Sequence, residues 1–206
     1  MKKKQVQRLV AFSLATMMTL QGLSVNASGQ VQVRTDSNTQ MSSDKEVVYV
    51  NTYDTSKRVH DFDANWKFYL GDADGAEAVN FDDSAWRTVS VPHDYSIEQE
   101  YTQSGEAESG YLPGGTGWYR KHFTLTEDMK DKEIRLDFGG VYMNATVWVN
   151  GTQLGTHPYG YTPFSFDITD YVKAGEENVI TVKVDHQTPS SRWYSGSGIY
   201  RSVDLT

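Results

Sequence analysis

Beyond Glu46, hydrophobic and polar positions alternate along most of the chain. Trp66, Phe68 and Leu70 fall at every second position, as do Tyr119, Lys121, Phe123 and Leu125, and again Ile134, Leu136 and Phe138. A period of two places each set on one face of a strand and the intervening residues on the other. Met143 to Val149 alternates in the same way and runs into Asn150-Gly151, the pair favoured in a type I′ hairpin turn, so a short return strand is expected through Gln153 and Leu154. Further strands are predicted over Phe164 to Ile168, Val179 to Val184 and Ile199 to Leu205, separated by Gly, Pro, Asn and Asp at short intervals. No window of ten or more residues carries a helical apolar stripe, and Asp82-Asp83-Ser84-Ala85-Trp86 predicts one turn with an Asp at its N-cap. The class is therefore all-β. About eight short antiparallel strands in about 160 residues fit a two-sheet sandwich or jelly roll. Trp86, Trp148, Phe138 and Tyr119 sit at strand spacing and are expected in its core.

The first residues read differently. Lys2, Lys3, Lys4 and Arg8 precede an apolar run from Leu9 to Leu23, and Val25-Asn26-Ala27 offers a small-residue cleavage site, so residues 1–27 are expected to be a signal peptide, the alternative being an uncleaved N-terminal anchor. The run is broken by Ser13, Thr16 and Gln21, and no later segment approaches the ~20 apolar residues of a membrane span. The mature chain is expected to be exported from a bacterial cell, secreted or at the cell surface, with no membrane contact after cleavage. Residues 28–45 are polar with almost nothing to bury and read as a disordered spacer, which leaves 46–206 as one domain.

Charge and cysteine content narrow the partners. The chain carries 19 basic and 27 acidic side chains, a net charge of −8, and loss of residues 1–27 removes four of the cations and no acid. Such a surface repels nucleic acid and suits a neutral ligand. Cysteine is absent, so neither disulfides nor thiolate-bound zinc hold the fold.

Six blocks then follow one another: Phe81-Asp82-Asp83-Ser84-Ala85-Trp86, Val91-Pro92-His93-Asp94-Tyr95-Ser96, Gly117-Trp118-Tyr119-Arg120, Phe138-Gly139-Gly140-Val141, Val147-Trp148-Val149-Asn150-Gly151, and Ser191-Arg192-Trp193-Tyr194-Ser195-Gly196-Ser197-Gly198-Ile199-Tyr200-Arg201. In that order they resemble the N-terminal domain of glycoside hydrolase family 2, which holds β-galactosidases, β-glucuronidases and β-mannosidases. The resemblance runs from about Asp63 to Leu205, and the pairing of Pro-His-Asp-Tyr-Ser with Arg-Trp-Tyr-Ser-Gly is nearer to bacterial β-galactosidases. It implies a galactose-binding-like jelly roll that supports a catalytic (β/α)8 barrel, with an immunoglobulin-like domain between them. It also implies that Asp94 and Arg192, with Trp193, reach the rim of a pocket for a terminal β-galactoside.

The residues themselves leave two readings of that site. Arg192 offers a fork of donors to adjacent hydroxyls, Trp193 offers a face to the apolar side of a pyranose, and the Asp94 carboxylate accepts from sugar hydroxyls. Equally, Arg192 pairs with an acid, Trp193 packs at a sheet end, and His93 and Asp94 stabilise their own turn. The glycines at 110, 114, 115 and 117 have no following Lys-Ser or Lys-Thr, so they are expected to let a loop pass close to a neighbouring surface rather than to cradle phosphate. Asp72-Ala73-Asp74-Gly75 lacks the later ligands of a calcium loop, and no metal or cofactor is expected. No acid lies in a segment resembling the family's acid/base or nucleophile motifs, and no Gly-x-Ser-x-Gly or His-Glu-x-x-His is present. The 206 residues are therefore expected to be the sugar-binding part of a β-galactosidase-type glycosidase, without catalytic residues and inactive alone. The alternative is a free-standing carbohydrate-binding module or a scaffold domain.

Overall fold

The computed structural model describes residues 57–189 and 196–206, together with two short strands near the N-terminus. Those two, β1 (Leu23–Val25) and β2 (Val31–Val33), pair antiparallel with Leu23 opposite Val33, and they belong to a unit of their own, residues 1–50. They fall across the expected cleavage segment and spacer. Glu46 to Ser56, where the domain was expected to begin, lies outside the described residues. Among the described residues no helix is long and apolar enough to cross a membrane.

The second unit holds β3 (His60–Asp61), β4 (Trp66–Leu70), β5 (Arg87–Val89), β6 (Gly115–Thr124), β7 (Arg135–Phe138), β8 (Ala145–Val149), β9 (Thr152–His157), β10 (Phe164–Asp167), β11 (Glu177–His186) and β12 (Val203–Leu205). Six form one sheet in the order β5-β4-β6-β11-β8-β9 and four form another in the order β10-β7-β12-β3, with every strand pair antiparallel. The only helical pieces described in this unit are three-residue 3₁₀ turns, at Ala107–Ser109, Glu127–Met129 and Thr169–Tyr171. This is the all-β sandwich that the alternation predicts. It has more strands than the eight expected because β3 and β5 are two and three residues long, too short for a period to be read.

The core lies between the sheets and is built by the predicted alternation. Trp66, Phe68, Tyr119, Phe123, Val147, Val149, Ile180, Val182 and Val184 from the large sheet meet Leu136, Phe138, Val203 and Leu205 from the small one. Burial of each large side chain contributes roughly 1.5–3 kcal/mol, which lets the sandwich stand without disulfides. Asn150 and Gly151 both have positive φ, 49° and 80°, as a type I′ turn requires, and β8 returns as β9 with a bulge after Val147. Leu70 departs from its expected place. As the last residue of β4 it is 40% exposed, because the strand ends there.

β6 is buried on both faces. Its outward residues Trp118, Arg120 and His122 lie under the segment 71–86, where Ala76, Trp86 and Trp118 form a second small cluster with Phe81 and Trp148 packed on it. Arg120 fastens that segment down. Its Nε donates to Asp83 Oδ2 at 2.7 Å, and its Nη atoms donate to the carbonyls of Ala76, Ala78 (3.0 Å) and Val79 (3.3 Å) and to Thr181 Oγ1 (3.2 Å). His122 Nε2 lies 2.9 Å from the same Asp83 oxygen. Burial pushes the Asp83 carboxyl upward, but hydrogen bonds from His122 and Arg120 outweigh it and hold the group below the usual carboxylate range. The bond to Asp83 raises the His122 imidazole in turn, against the effect of burial.

On the inward face, Lys121 occupies a core position of the predicted stripe and is buried there. Its amine donates to the Ala64 carbonyl and sits 4.2 Å above the Phe62 ring and 5.6 Å from that of Trp66. Burial lowers its pKa to about 8, opposed by the charges of Asp61 and Asp63.

Two outcomes follow from these buried charges. Asp83→Ala leaves Arg120 without its carboxylate and is expected to destabilise the domain by about 3–5 kcal/mol in urea unfolding. It should also remove the part of the stability that His122 supplies, which is present below pH 6.5 and lost as pH rises through the raised folded value. Lys121 has the opposite sign. Its folded pKa lies below its unfolded one, so it opposes folding at pH 7 and stability rises as pH climbs from about 8 to 10.5. Lys121→Met should abolish that rise and stabilise the domain at pH 7 by on the order of 2–3 kcal/mol, read as thermal unfolding against pH.

Candidate functional site

The predicted site residue that can be placed, Asp94, sits where strand ends converge. β6 starts at Gly115 opposite His186, the last residue of β11, and the loops following β5 and preceding β8 meet the returning chain at Gly196–Ile199. The backbone of the Pro-His-Asp-Tyr-Ser segment pairs with that return: His93 N–H donates to the Ile199 carbonyl at 2.7 Å, and Tyr95 N–H to the Ser197 carbonyl at 2.9 Å. On the other side Tyr142 and Gly198 exchange N–H···O bonds of 2.9 and 2.8 Å. Gly198 holds φ at +119°, and a Cβ there would lie 2.4 Å from the Tyr119 hydroxyl and 2.7 Å from the His93 carbonyl, so only glycine fits.

Asp94 joins these segments. One carboxylate oxygen, Oδ1, accepts from Ser96 N–H at 2.9 Å within its own turn and from Ser197 N–H at 2.8 Å across to the return. The turn-stabilising reading is therefore correct for this oxygen, and the cross-link to Ser197 goes beyond it. His93 is structural as well. Its Nδ1 lies 2.7 Å from the Tyr119 hydroxyl, its Nε2 faces Glu98 and Arg87, and its ring packs edge-on against Phe68. Burial lowers the His93 pKa, which favours the neutral ring, with Glu98 opposing.

Beneath Asp94 runs a buried hydroxyl chain that sequence reasoning did not single out. Ser197 Oγ bridges Ser96 Oγ and His186 Nδ1, and Ser96 Oγ also donates to the Pro113 carbonyl at 3.1 Å. Tyr95 donates to the Gly115 carbonyl at 2.7 Å, and burial pushes its hydroxyl pKa well above the usual phenol range. The signal lay in the two motif blocks, where Ser96 and Ser197 stand beside Asp94 and between two glycines, but their contact spans 101 positions of sequence. Gly114 is placed as the glycine run predicts: a Cβ there would meet the His186 carbonyl at 2.4 Å. Arg192 and Trp193 fall outside the described residues, in the stretch between Pro189 and Gly196. Among the described residues no group of three or more His, Cys, Asp or Glu is arranged to hold a metal.

An end of a sandwich fixed by backbone pairing, with one acid cross-linking two loops, is the geometry on which known proteins bear. Residues 59–206 match the model of the glycosyl hydrolases family 2 sugar-binding domain. The chain belongs to glycoside hydrolase family 2. This family 2 domain is 48% identical over 149 residues to the β-galactosidase BoGH2A of Bacteroides ovatus, covering 71% of this chain and 18% of that protein. It is 34% identical over 170 residues to a β-glucuronidase of Formosa agariphila, covering 73% and 17%. Among solved structures, a glycosyl hydrolase family 2 member from Bacteroides cellulosilyticus superposes with a TM-score of 0.71 at 46% identity, over 72% of this chain and 20% of that one. The chain thus spans about a fifth of the length of the relatives it matches.

Asp94→Ala leaves the Ser96 and Ser197 amides without their acceptor. A loss of about 1–3 kcal/mol is expected, with faster hydrogen exchange at those two amides than at the core of β6.

Proposed function

We propose that this family 2 domain is the N-terminal sugar-binding part of an exported, exo-acting β-galactosidase-type glycosidase, in which Asp94, Arg192 and Trp193 rim the pocket for a terminal β-galactoside. The observation that carries the reading is Asp94, a carboxylate held by two backbone amides at the junction of the 93–96 and 196–199 segments. A carboxylate fixed in this way accepts from sugar hydroxyls without first being ordered, which favours binding. Arg192 and Trp193 follow Pro189 and precede Gly196 in sequence, so they belong to the stretch that leads into this junction. Their roles are donation to paired hydroxyls and stacking on the pyranose.

Retaining hydrolysis needs two carboxyl groups about 5–5.5 Å apart, and in this reading the (β/α)8 barrel of the parent protein supplies both. The sugar-binding domain then contributes orientation and shields one side of the pocket from water. The net charge of −8 favours a neutral galactoside over an anionic sugar. The N-terminal pattern of cations, apolar run and Val25-Asn26-Ala27 supports export.

The purified 206-residue chain is expected to leave a nitrophenyl β-galactoside intact while binding galactose with a dissociation constant near ~1 mM, seen as shifts of the Asp94, Ser96 and Ser197 amides. Turnover by the pure chain would show that it holds its own catalytic pair. Shifts with glucuronate but none with galactose would replace the galactoside by an anionic substrate.

A further inference from the structure

The loop from Pro158 to Pro163, which joins β9 to β10, exposes two tyrosines on a backbone that is held from several sides. Tyr159 is 56% and Tyr161 42% exposed. Beneath them Asn144 N–H donates to the Pro158 carbonyl at 3.3 Å and the Tyr200 hydroxyl donates to the Gly160 carbonyl at 2.8 Å. His157 Nε2 lies 3.0 Å from Thr162 Oγ1, and Gly160 is pressed so closely on Tyr142 that a Cβ would stand 2.1 Å from its ring. The rings meet in series, Tyr159 on Tyr161 at 5.6 Å between centroids and Tyr161 on Tyr142 at 5.4 Å, both edge to face. Tyr142 packs edge-on against His186 at 5.0 Å and pairs with Gly198, so the series ends at the network beneath Asp94.

Exposed aromatic rings on a fixed backbone are already ordered, so a ligand that covers them bears little of the ordering cost. A tyrosine presents an apolar face with a hydroxyl at its edge. A pyranose presents one face of C–H groups with hydroxyls at its rim, which is the matching surface. The acidic surface turns away an anionic unit.

We propose that Tyr159 and Tyr161 form a stacking platform for a further neutral sugar unit of the saccharide whose terminal residue meets Asp94. The inference rests on the reading of Asp94 as a contact to that terminal residue. It is tested by titrating the 206-residue chain with galactose and, separately, with β-1,4-linked galactotriose, following amide shifts. Both sugars are expected to move Asp94 and Ser197, and only the triose to move Tyr159 to Tyr161. Tyr159→Ala with Tyr161→Ala should weaken the triose about fivefold and leave galactose unchanged, whereas the two Phe variants, which keep the rings, should bind as the parent does. Triose binding without shifts at 159–161, or an unchanged affinity in the alanine variant, overturns the platform and leaves the Asp94 reading standing. Shifts at 159–161 with none at Asp94 and Ser197 overturn the terminal site instead, and silence at both places up to tens of millimolar overturns both. Should the alanine variant not fold, the shift map of the parent chain decides alone.

Discussion

Arg120 has no exposed surface, and its guanidinium lies on the outer face of the six-stranded sheet, where an unpaired charge would be untenable. Every bond it makes is to the segment 71–86 or to the neighbouring strand β11, and Asp83 supplies the compensating charge. The consequence is that β6 works on both of its faces. Outward, Arg120 and Trp118 hold a covering layer of loop. Inward, Tyr119 packs against Trp66 and Phe68 and brings its hydroxyl to His93. Three successive residues therefore tie the cover, the core and the site loops to one strand, because a strand directs neighbouring side chains to opposite faces.

Lys121 shows that this arrangement has a cost in stability. Its stem fills core space beside Phe62 and Trp66, yet its amine must find a carbonyl and two aromatic faces in place of water. Burial lowering its pKa to about 8 measures how poorly the site tolerates the charge. Arg120, by contrast, keeps a carboxylate and four further acceptors. The two cations stand next to each other in sequence and face opposite environments, so exchanging them would leave a guanidinium in the core and an ammonium with too few donors for the clamp.

Much of the fold is legible in the sequence because most strands present a long enough alternation against a single core. The turn at Asn150-Gly151, the inward set of β8 and the inward set of β7 all follow from period and turn chemistry alone. What is not legible depends on distant partners. β3 and β5 are strands only because β12 and β4 lie beside them. Leu70 has the right spacing but no core left to meet, and Lys121 has the right spacing with the wrong chemistry. At the site, Asp94 is recognisable from its motif. The bond to Ser197, 103 positions away, and the hydroxyl chain to His186 exist only after the sheets have formed.

The absence of cysteine makes the site's rigidity a property of the whole sandwich. Where a domain has disulfides, they fix its loops locally. Here the 93–96 segment is held by backbone bonds to 197–199, and 142 by bonds to 198, so each loop is in effect an extension of a sheet edge. Opening one of them breaks paired backbone groups and strips the acceptor from an amide, and the buried Ser96, Ser197 and His186 would then have to be hydrated one by one. Local opening should therefore approach the cost of global unfolding rather than occur freely at the surface. In the proposed role of a rim that presents fixed donors and acceptors to a weakly held sugar, that coupling would replace binding area with preorganisation.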